Sequence, residues 1–303
     1  MRILVTGAHG KVGAATIHEL IEAGHDVTGA DVVAPVYEGG DSGAHYIQAD
    51  LADPGDAFAV ARGQDVAIHC AALPEPTRNP GHVVFRNNLM ATYNLAEACV
   101  RMGADRIVNV SSETVAGMAF AERRFHAPRA PIDEQLPNRP QDPYALAKVF
   151  GEQLMDAAVA RADLRAVSIR PSWVQWEGNY ERSLGPWLRD PFGTPPSESF
   201  WSYIDVYDLA HALRLAAECS LDGHEAMYVA SPDNGAGRQL RELIEHHFGA
   251  AVTVGELARE DAGGITSAKA ERLLNKETVD MVEAYEAAGV ARPERIEAEP
   301  APA

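Results

Sequence analysis

The feature that most constrains this chain lies in its first residues. A strand-like run, RILVT, leads straight into Gly7, Gly10 and Gly13, and the amphipathic stretch GAATIHELIEAG follows, closed by Gly24. Glycines at these spacings permit a tight turn, let backbone approach a pyrophosphate and let the helix pack closely on the strand. The helix N-terminus then offers free N–H groups and the positive end of its dipole to phosphates. His9, Lys11 and Val12 complete the phosphate-facing loop. Asp31 closes the next apolar run. A carboxylate there accepts hydrogen bonds from ribose hydroxyls and repels a 2′-phosphate. Val32, Val33 and Ala34 follow, with no Arg to hold such a phosphate, which favours NAD over NADP. Lys11 is neutral on that point, since a loop cation assists either cofactor. Asp50 and Leu51, after the third strand, are expected near the adenine, and Ala71 and Ala72, after the fourth, along the cofactor's edge.

The rest of the first half repeats this alternation. HDVTGAD, HYIQAD, DVAIHCAA, DRIVNVSS and LRAVSIRP read as strands. PGDAFAVARG, the long stretch from Pro80 to Gly103, and DPYALAKVFGEQLMDAAVAR read as helices. Parallel strands need crossover connections, so the pattern predicts an α/β fold with helices on both faces of a parallel sheet. After Pro171 the periodicity breaks. Residues 172–200 hold Trp173, Trp176 and Trp187 among several prolines and read as a substrate-facing excursion. SYIDVYDLAHALRLAAE returns to strand and helix, with Asp205 or Asp208 as cap, and MYVAS is a further strand. Residues 237–248 and 268–288 read as helices of a small C-terminal lobe. The expected division is a cofactor domain of residues 1–171, rejoined by 203–230, a substrate lobe of 172–202 and 231–293, and a frayed tail at 294–303.

Charge narrows the partners. Lys and Arg total 26 against 44 Asp and Glu, a net charge of −18. Such a surface repels phosphate backbones, so no nucleic-acid partner is expected. Cys70, Cys99 and Cys219 show no paired spacing and read as small core residues in a reducing compartment. MRILVTGAHG opens directly into strand and turn, and no long apolar run follows anywhere, so a cytoplasmic protein without a membrane partner is expected. No Cys/Asp/His spacing makes a case for a metal, and His69, at the end of an apolar run, reads as a hydrogen-bonded core histidine.

Tyr144 and Lys148 are one helical turn apart and share a face. A cation beside a phenol favours phenolate, so Lys148 is expected to lower the Tyr144 pKa. Tyr144 then exchanges a proton with a substrate hydroxyl while hydride moves to or from nicotinamide, and Ser112 hydrogen-bonds the same oxygen. At this point the chain resembles the extended short-chain dehydrogenase/reductase family, the NAD-dependent epimerases and dehydratases. The resemblance covers roughly residues 1–230 and rests on TGAHGKVG, Asp31, ADL, HCAA, NNLMATYNLAEA, VNVSSETVAG, YALAK, SIRP and YIDVYDLA. It implies a Rossmann-type doubly wound sheet with a small C-terminal lobe, NAD as cofactor, and Ser112, Tyr144 and Lys148 as the catalytic group. It implies Asn88 as a helix residue near the site that holds a water or orients Lys148. It also implies a homodimer through the helices at 81–102 and 143–161. Val84, Leu89, Leu95, Val149, Leu154 and Met155 supply apolar surface there, for the partner or for the sheet.

Within the family, SETVAG lacks the paired carboxylates of hexose dehydratases. The segment after Pro171 is short and offers only Arg182 and Arg189 to a diphosphate, against the pattern of nucleotide-sugar epimerases. The stretch from Glu177 to Arg182, with Ser111-Ser112 and Phe150-Gly151-Glu152, is similar to bacterial uronate dehydrogenases, where an Arg at the place of Arg182 holds the substrate carboxylate. The resemblance implies substrate contacts from Leu73, Ser111, Glu113, Ser172 and Arg182. Two positions depart from that branch. Leu73-Pro74 stands near a family Ser, and Glu113 stands in place of an Asn, where an anionic Glu beside a uronate is unfavourable. The leading expectation is therefore NAD-dependent oxidoreduction of a small free sugar or sugar acid. A nucleotide-sugar 4-epimerase with tightly bound NAD and a non-catalytic NAD(H)-sensing protein are the alternatives.

Overall fold

The computed structural model describes residues 1–34 and 43–274. Strand and helix alternate as β1 (Arg2–Thr6), α1 (Lys11–Glu22), β2 (Asp26–Asp31), β3 (His45–Gln48), α2 (Pro54–Ala61), β4 (Val66–His69), α3 (Gly81–Met102) and β5 (Arg106–Val110). The 3-10 turn Glu113–Ala116 and the short β6 (Arg129–Ala130) precede α4 (Pro143–Val159) and β7 (Arg165–Pro171). The chain continues through β8 (Trp173–Gln175), α5 (Tyr180–Ser183), α6 (Gly185–Arg189), β9 (Tyr203–Asp205), α7 (Val206–Glu218) and β10 (His224–Val229). It then forms α8 (Leu240–Phe248), β11 (Thr253–Val254) and α9 (Ala268–Leu274). The remainder of the helix expected at 268–288, and the tail at 294–303, lie outside the described residues.

The central sheet runs β10-β7-β5-β4-β1-β2-β3 with every pair parallel, the doubly wound arrangement that the alternation predicts. Strand β1 pairs with both β2 and β4, so the chain builds one half outward from β1 and then returns to begin the other half at β4. The loops after β1 and β4 part at that point and open a crevice at the carboxyl edge. One face is packed by α1, α7 and α9, with Ile17, Leu20, Leu209, Leu213 and Ala270 against Val5, Ile68 and Val167. The other is packed by α2, α3 and α4, with Val60, Leu95, Cys99 and Met155 against Leu4 and Ile107. No described helix is long and apolar enough to cross a membrane.

Tyr203–Asp205 forms a strand as expected, but it pairs with β8 in a separate two-stranded sheet and not with the central one. A third apolar cluster joins Met118, Ile132, Phe200, Trp201, Tyr228, Leu240, Leu243 and Ile265. It draws on segments 116–132 and 228–230 as well as on 200–201 and 236–265, so the lobe is built partly by residues that the sequence pattern assigns to the sheet domain.

Helix starts follow local chemistry. Asp53 caps α2 and Asp142 caps α4, each with Pro at the first helical position, and Asp205 caps α7 through the Tyr207 N–H. Helix α1 starts at Lys11 and has no side-chain cap at Gly10.

Candidate active site

The glycine turn is sterically closed. Gly7 has φ of +69°, and a Cβ there would lie 2.8 Å from the Ala71 backbone. A Cβ on Gly13 would lie 2.1 Å from the Gly7 carbonyl oxygen. The Gly10 N–H donates to that same oxygen at 3.0 Å. The turn thus seats the first residues of α1 against β1 and β4, and the uncapped helix start leaves N–H groups for an anionic ligand. These features fit a dinucleotide pyrophosphate.

Asp31 ends β2 with its carboxylate bridging two loops. Oδ2 accepts from the His9 N–H at 2.9 Å and Oδ1 from the Val33 N–H at 3.0 Å. A carboxylate has about four acceptor positions, so capacity remains for ribose hydroxyls. Beside it Val32 and Val33 are 59% and 58% exposed, an apolar pair with no cation for a 2′-phosphate. The His9 ring stacks on Tyr46. The Lys11 ammonium stands 5.8 Å from the Trp176 ring centroid, which links the phosphate turn to the segment after β8. Asp50 is exposed and accepts from the Ala52 N–H, whereas the Leu51 side chain packs into the core beside α2 and its carbonyl accepts from Asn94 Nδ2. The Ala71 N–H donates to Thr6 Oγ1 at 3.3 Å and Ala72 is half-buried. His69 is the core histidine that the sequence suggests. Its two ring nitrogens face Thr6 Oγ1 and Thr92 Oγ1, and burial pushes its pKa down to about 3.

Three further side chains meet at the carboxyl end of β5. Asp142 accepts from the N–H groups of Tyr144 and Ala145, both at 2.9 Å, so Tyr144 lies in the first turn of α4 and Lys148 one turn on. Both are buried. The Lys148 Nζ donates to the Val110 carbonyl at 2.6 Å and lies 5.6 Å from the Tyr144 ring centroid. Ser112 is extended, accepts from the Thr114 N–H, and has its hydroxyl against the Tyr144 phenol.

The electrostatics differ from the expectation. Burial pushes Tyr144 up to about 12, with the charges of Asp142 and Glu113 adding to the shift and Ser112 opposing it. Burial also pulls Lys148 down to about 8. The lysine therefore loses its proton well before the phenol does, and it does not by itself lower the Tyr144 pKa in this state. Desolvation acts on both groups and is the largest cause of each shift.

Other expected contacts are corrected by the geometry. The Asn88 carboxamide meets the loop after β4, and no hydrogen bond joins it to Lys148 among the described residues. Its Oδ1 accepts from the Leu73 N–H at 2.8 Å and its Nδ2 donates to the Leu73 carbonyl at 3.0 Å, so it clamps the loop after β4. The Ser111 hydroxyl is turned away from Ser112 and donates to Glu152 Oε1 at 2.6 Å. Glu152 forms a two-point pair with Arg170 at 2.8 and 2.7 Å, both residues buried, and Arg170 lies over the Tyr228 ring. This Ser111–Glu152–Arg170 group ties α4 to β5 and β7 directly behind the catalytic residues. Glu152 has no role among the sequence expectations, although its signal is local: Tyr144, Lys148 and Glu152 recur every four residues on one helix face. Arg182, on the short α5, is exposed, and no hydrogen bond or ion pair engages it among the described residues, while its neighbour Glu181 pairs with Arg189.

Unpartnered buried polar atoms gather along the same edge. They are Glu113 Oε2 and Thr114 Oγ1 just after β5, Ser172 Oγ just after β7, and the Tyr228 hydroxyl on β10, which has no well-aligned partner. These three strands are sheet neighbours. Buried polar groups normally find partners, so such a band is where a hydroxylated ligand or ordered water belongs.

Comparison with known proteins adds the following. A family model described as the NAD dependent epimerase/dehydratase family matches residues 3–230. The chain is 31% identical over 255 residues to L-arabinose 1-dehydrogenase (NAD(P)(+)) of Haloferax volcanii, covering 80% of this chain and 93% of that protein. It is 27% identical to uronate dehydrogenase of Pseudomonas syringae pv. tomato, covering 62% and 64% of the two chains. In fold it is similar to a crystal structure of UDP-galactose 4-epimerase, with a TM-score of 0.66 at 23% identity over 92% of this chain and 94% of that one.

Proposed function

We propose that this chain, which belongs to the NAD-dependent epimerase/dehydratase family, is a dehydrogenase of a small free sugar. The observation that carries the reading is the meeting of Ser112, Tyr144 and Lys148 beside the glycine cradle, in a pocket whose post-β7 segment is nearly free of cations. Residues 172–202 contain two cations, and Arg189 is already paired with Glu181, so a diphosphate finds little there to bind. The similarity to an arabinose and a uronate dehydrogenase supports the same substrate size.

Gly7, Gly10, Gly13 and the start of α1 would hold the NAD pyrophosphate, and Asp31 the adenosine ribose. NAD supplies the hydride acceptor when bound. Tyr144 takes the proton of the substrate hydroxyl, and Ser112 holds that oxygen in position. Lys148, cationic below about 8, is the group placed to stabilise the phenolate that this transfer requires, against the desolvation that raises the phenol. The loop clamped by Asn88 presents Leu73 to the pocket. Residues 1–171 with 203–230 serve the cofactor, and 172–202 with 231–293 the substrate. Three cysteines free of disulfides support a reducing, cytoplasmic setting.

The test is NADH formation by the purified protein with L-arabinose, other aldoses and hexuronates. Conversion of a UDP-sugar with no NADH from any free sugar, and with NAD retained through dialysis, overturns the reading in favour of an epimerase.

A further inference from the structure

Lys11 stands where its charge is least welcome. It is the first residue of α1, at the positive end of that helix, and the helix has no side-chain cap and no acidic residue in its first turn. Of the three described lysines, Lys148 donates to the Val110 carbonyl, and Lys269 donates to the Ala226 carbonyl and pairs with Glu225. Lys11 is exposed, and no hydrogen bond or ion pair engages its ammonium among the described residues. What it meets is the face of the Trp176 ring, 5.8 Å from ammonium to centroid, within the range of cation–π attraction. The ring is the fixed member of this pair. Trp176 is half-buried and packs, with Val12, Val174 and Tyr207, against Ala15, Val206 and Ala210 between the starts of α1 and α7. Just before it, the buried Gln175 lies in register with Asp205, which caps α7. Just after it, the Asn179 N–H closes a turn on the Trp176 carbonyl at 2.9 Å. The lysine head, by contrast, rides on a flexible four-carbon stem.

We propose that Trp176 is a positioning residue for the cofactor: its ring holds the Lys11 ammonium beside the phosphate turn, and through that cation the segment after β8 is coupled to the cofactor's diphosphate. This rests on NAD as the cofactor and is independent of which sugar is the substrate. Two positive features, the start of α1 and the Lys11 ammonium, meet at the glycine turn, and neither is neutralised by a carboxylate of the described residues. A diphosphate neutralises both. A lysine that must be gathered out of solvent gives back part of that attraction in lost freedom. One already resting on a rigid aromatic face gives back less. Coupling of this kind is reciprocal. Trp176 begins the turn that leads into Tyr180, whose hydroxyl donates to Asp205, and on into α5 and α6. Whatever fixes Lys11 on the phosphates therefore steadies that turn as well.

The experiment titrates the purified protein by calorimetry with ADP-ribose, which carries the diphosphate without the nicotinamide, and with adenosine, which lacks both, the latter by displacement of ADP-ribose. No turnover enters either measurement. The ADP-ribose dissociation constant should rise about fivefold in Lys11→Met and about threefold in Trp176→Leu, while that of adenosine stays within about twofold of wild type. In the double variant, Trp176→Leu should add nothing to Lys11→Met, because the ring acts through the cation. Trp176→Phe, which keeps an aromatic face, should fall between wild type and Trp176→Leu. Lys11 is exposed, so Lys11→Met leaves the packing intact and reads the cation even where a Trp176 variant fails to fold. Unchanged ADP-ribose binding in either single variant overturns the proposal. So does an equal loss for adenosine, or a Trp176→Leu loss that persists on the Lys11→Met background, either of which makes Trp176 a packing residue only. Hydrogen exchange reads the coupling: saturating ADP-ribose should slow exchange at residues 174–184 in wild type, and the slowing should be lost in Lys11→Met. Equal slowing in the two proteins overturns the coupling. If ADP-ribose binds to none of the proteins, the proposal falls together with the cofactor site. If it binds as expected to a protein that oxidises no free sugar, only the dehydrogenase reading fails.

Discussion

At the scale of single residues, the site is governed by desolvation. Tyr144→Phe removes the hydroxyl to which the proposed mechanism gives the substrate proton. Sugar-dependent NADH formation is expected to fall about 10²–10⁴-fold, with NAD affinity, read by fluorescence titration, changed only a few-fold. Two of the buried ionisable groups, Glu113 and Lys148, act on stability with opposite sign. Glu113 is raised from 4.5 to about 8, so between those values the folded protein binds more protons than the unfolded one and stability falls as pH rises. Lys148 is lowered from 10.5 to about 8, so between about 8 and 10.5 the unfolded protein binds more protons and stability rises with pH. Each slope is at most about 1.4 kcal/mol per pH unit. The shift of His69 from 6.5 to about 3 cancels the Glu113 slope below about 6.5, and the shifts of Cys70 and Cys99 from 9.0 to about 12 reverse the Lys148 slope above about 9, so urea midpoints should fall from about pH 6.5 to about 8 and rise only between about 8 and 9. In Glu113→Gln the falling limb should flatten while the rising limb stays.

At the scale of elements, the decisive ones are those whose ends are chemically pinned. Helix α4 begins where Asp142 caps it, and that cap sets the height of Tyr144 relative to Ser112. Asp142→Ala is expected to cost about 1 kcal/mol in urea unfolding and to lower kcat more than it raises KM, since a displaced phenol harms proton transfer more than binding. These elements were legible in the sequence because their signals are local: an Asp-Pro start, a glycine turn, a spacing of four. Ser111 shows the limit of that legibility. Its sequence neighbour reaches the catalytic tyrosine, yet its own hydroxyl is taken by Glu152, because successive residues at a strand end point to opposite faces and the buried Arg170–Glu152 pair completes its hydrogen bonding there.

At the scale of the whole molecule, packing divides the apolar residues of α3 and α4. Val84, Leu95 and Met155 are buried within the chain, whereas Leu89, Val149 and Leu154 are half-buried and Met90, Tyr93 and Phe150 are exposed. We propose that this residual face pairs with a second copy of the chain. The double substitution Met90→Glu with Phe150→Glu is expected to halve the mass measured by light scattering, and an unchanged mass places the dimer elsewhere or removes it.

The sequence by itself determined the parallel strand–helix alternation, the glycine cradle with Asp31 at the next strand end, and the Tyr144–Lys148 spacing. All of these depend on backbone geometry and on residues close in the chain. Only the tertiary structure decided what surrounds the reactive groups. Glu113, Ser199 and Tyr228 come from three distant segments, Arg170 of β7 reaches Glu152 of α4, and Arg182 is exposed. Whether a carboxyl or an ammonium keeps its charge depends on the water removed around it. That is a property of the packed molecule and is written in no single stretch of the chain.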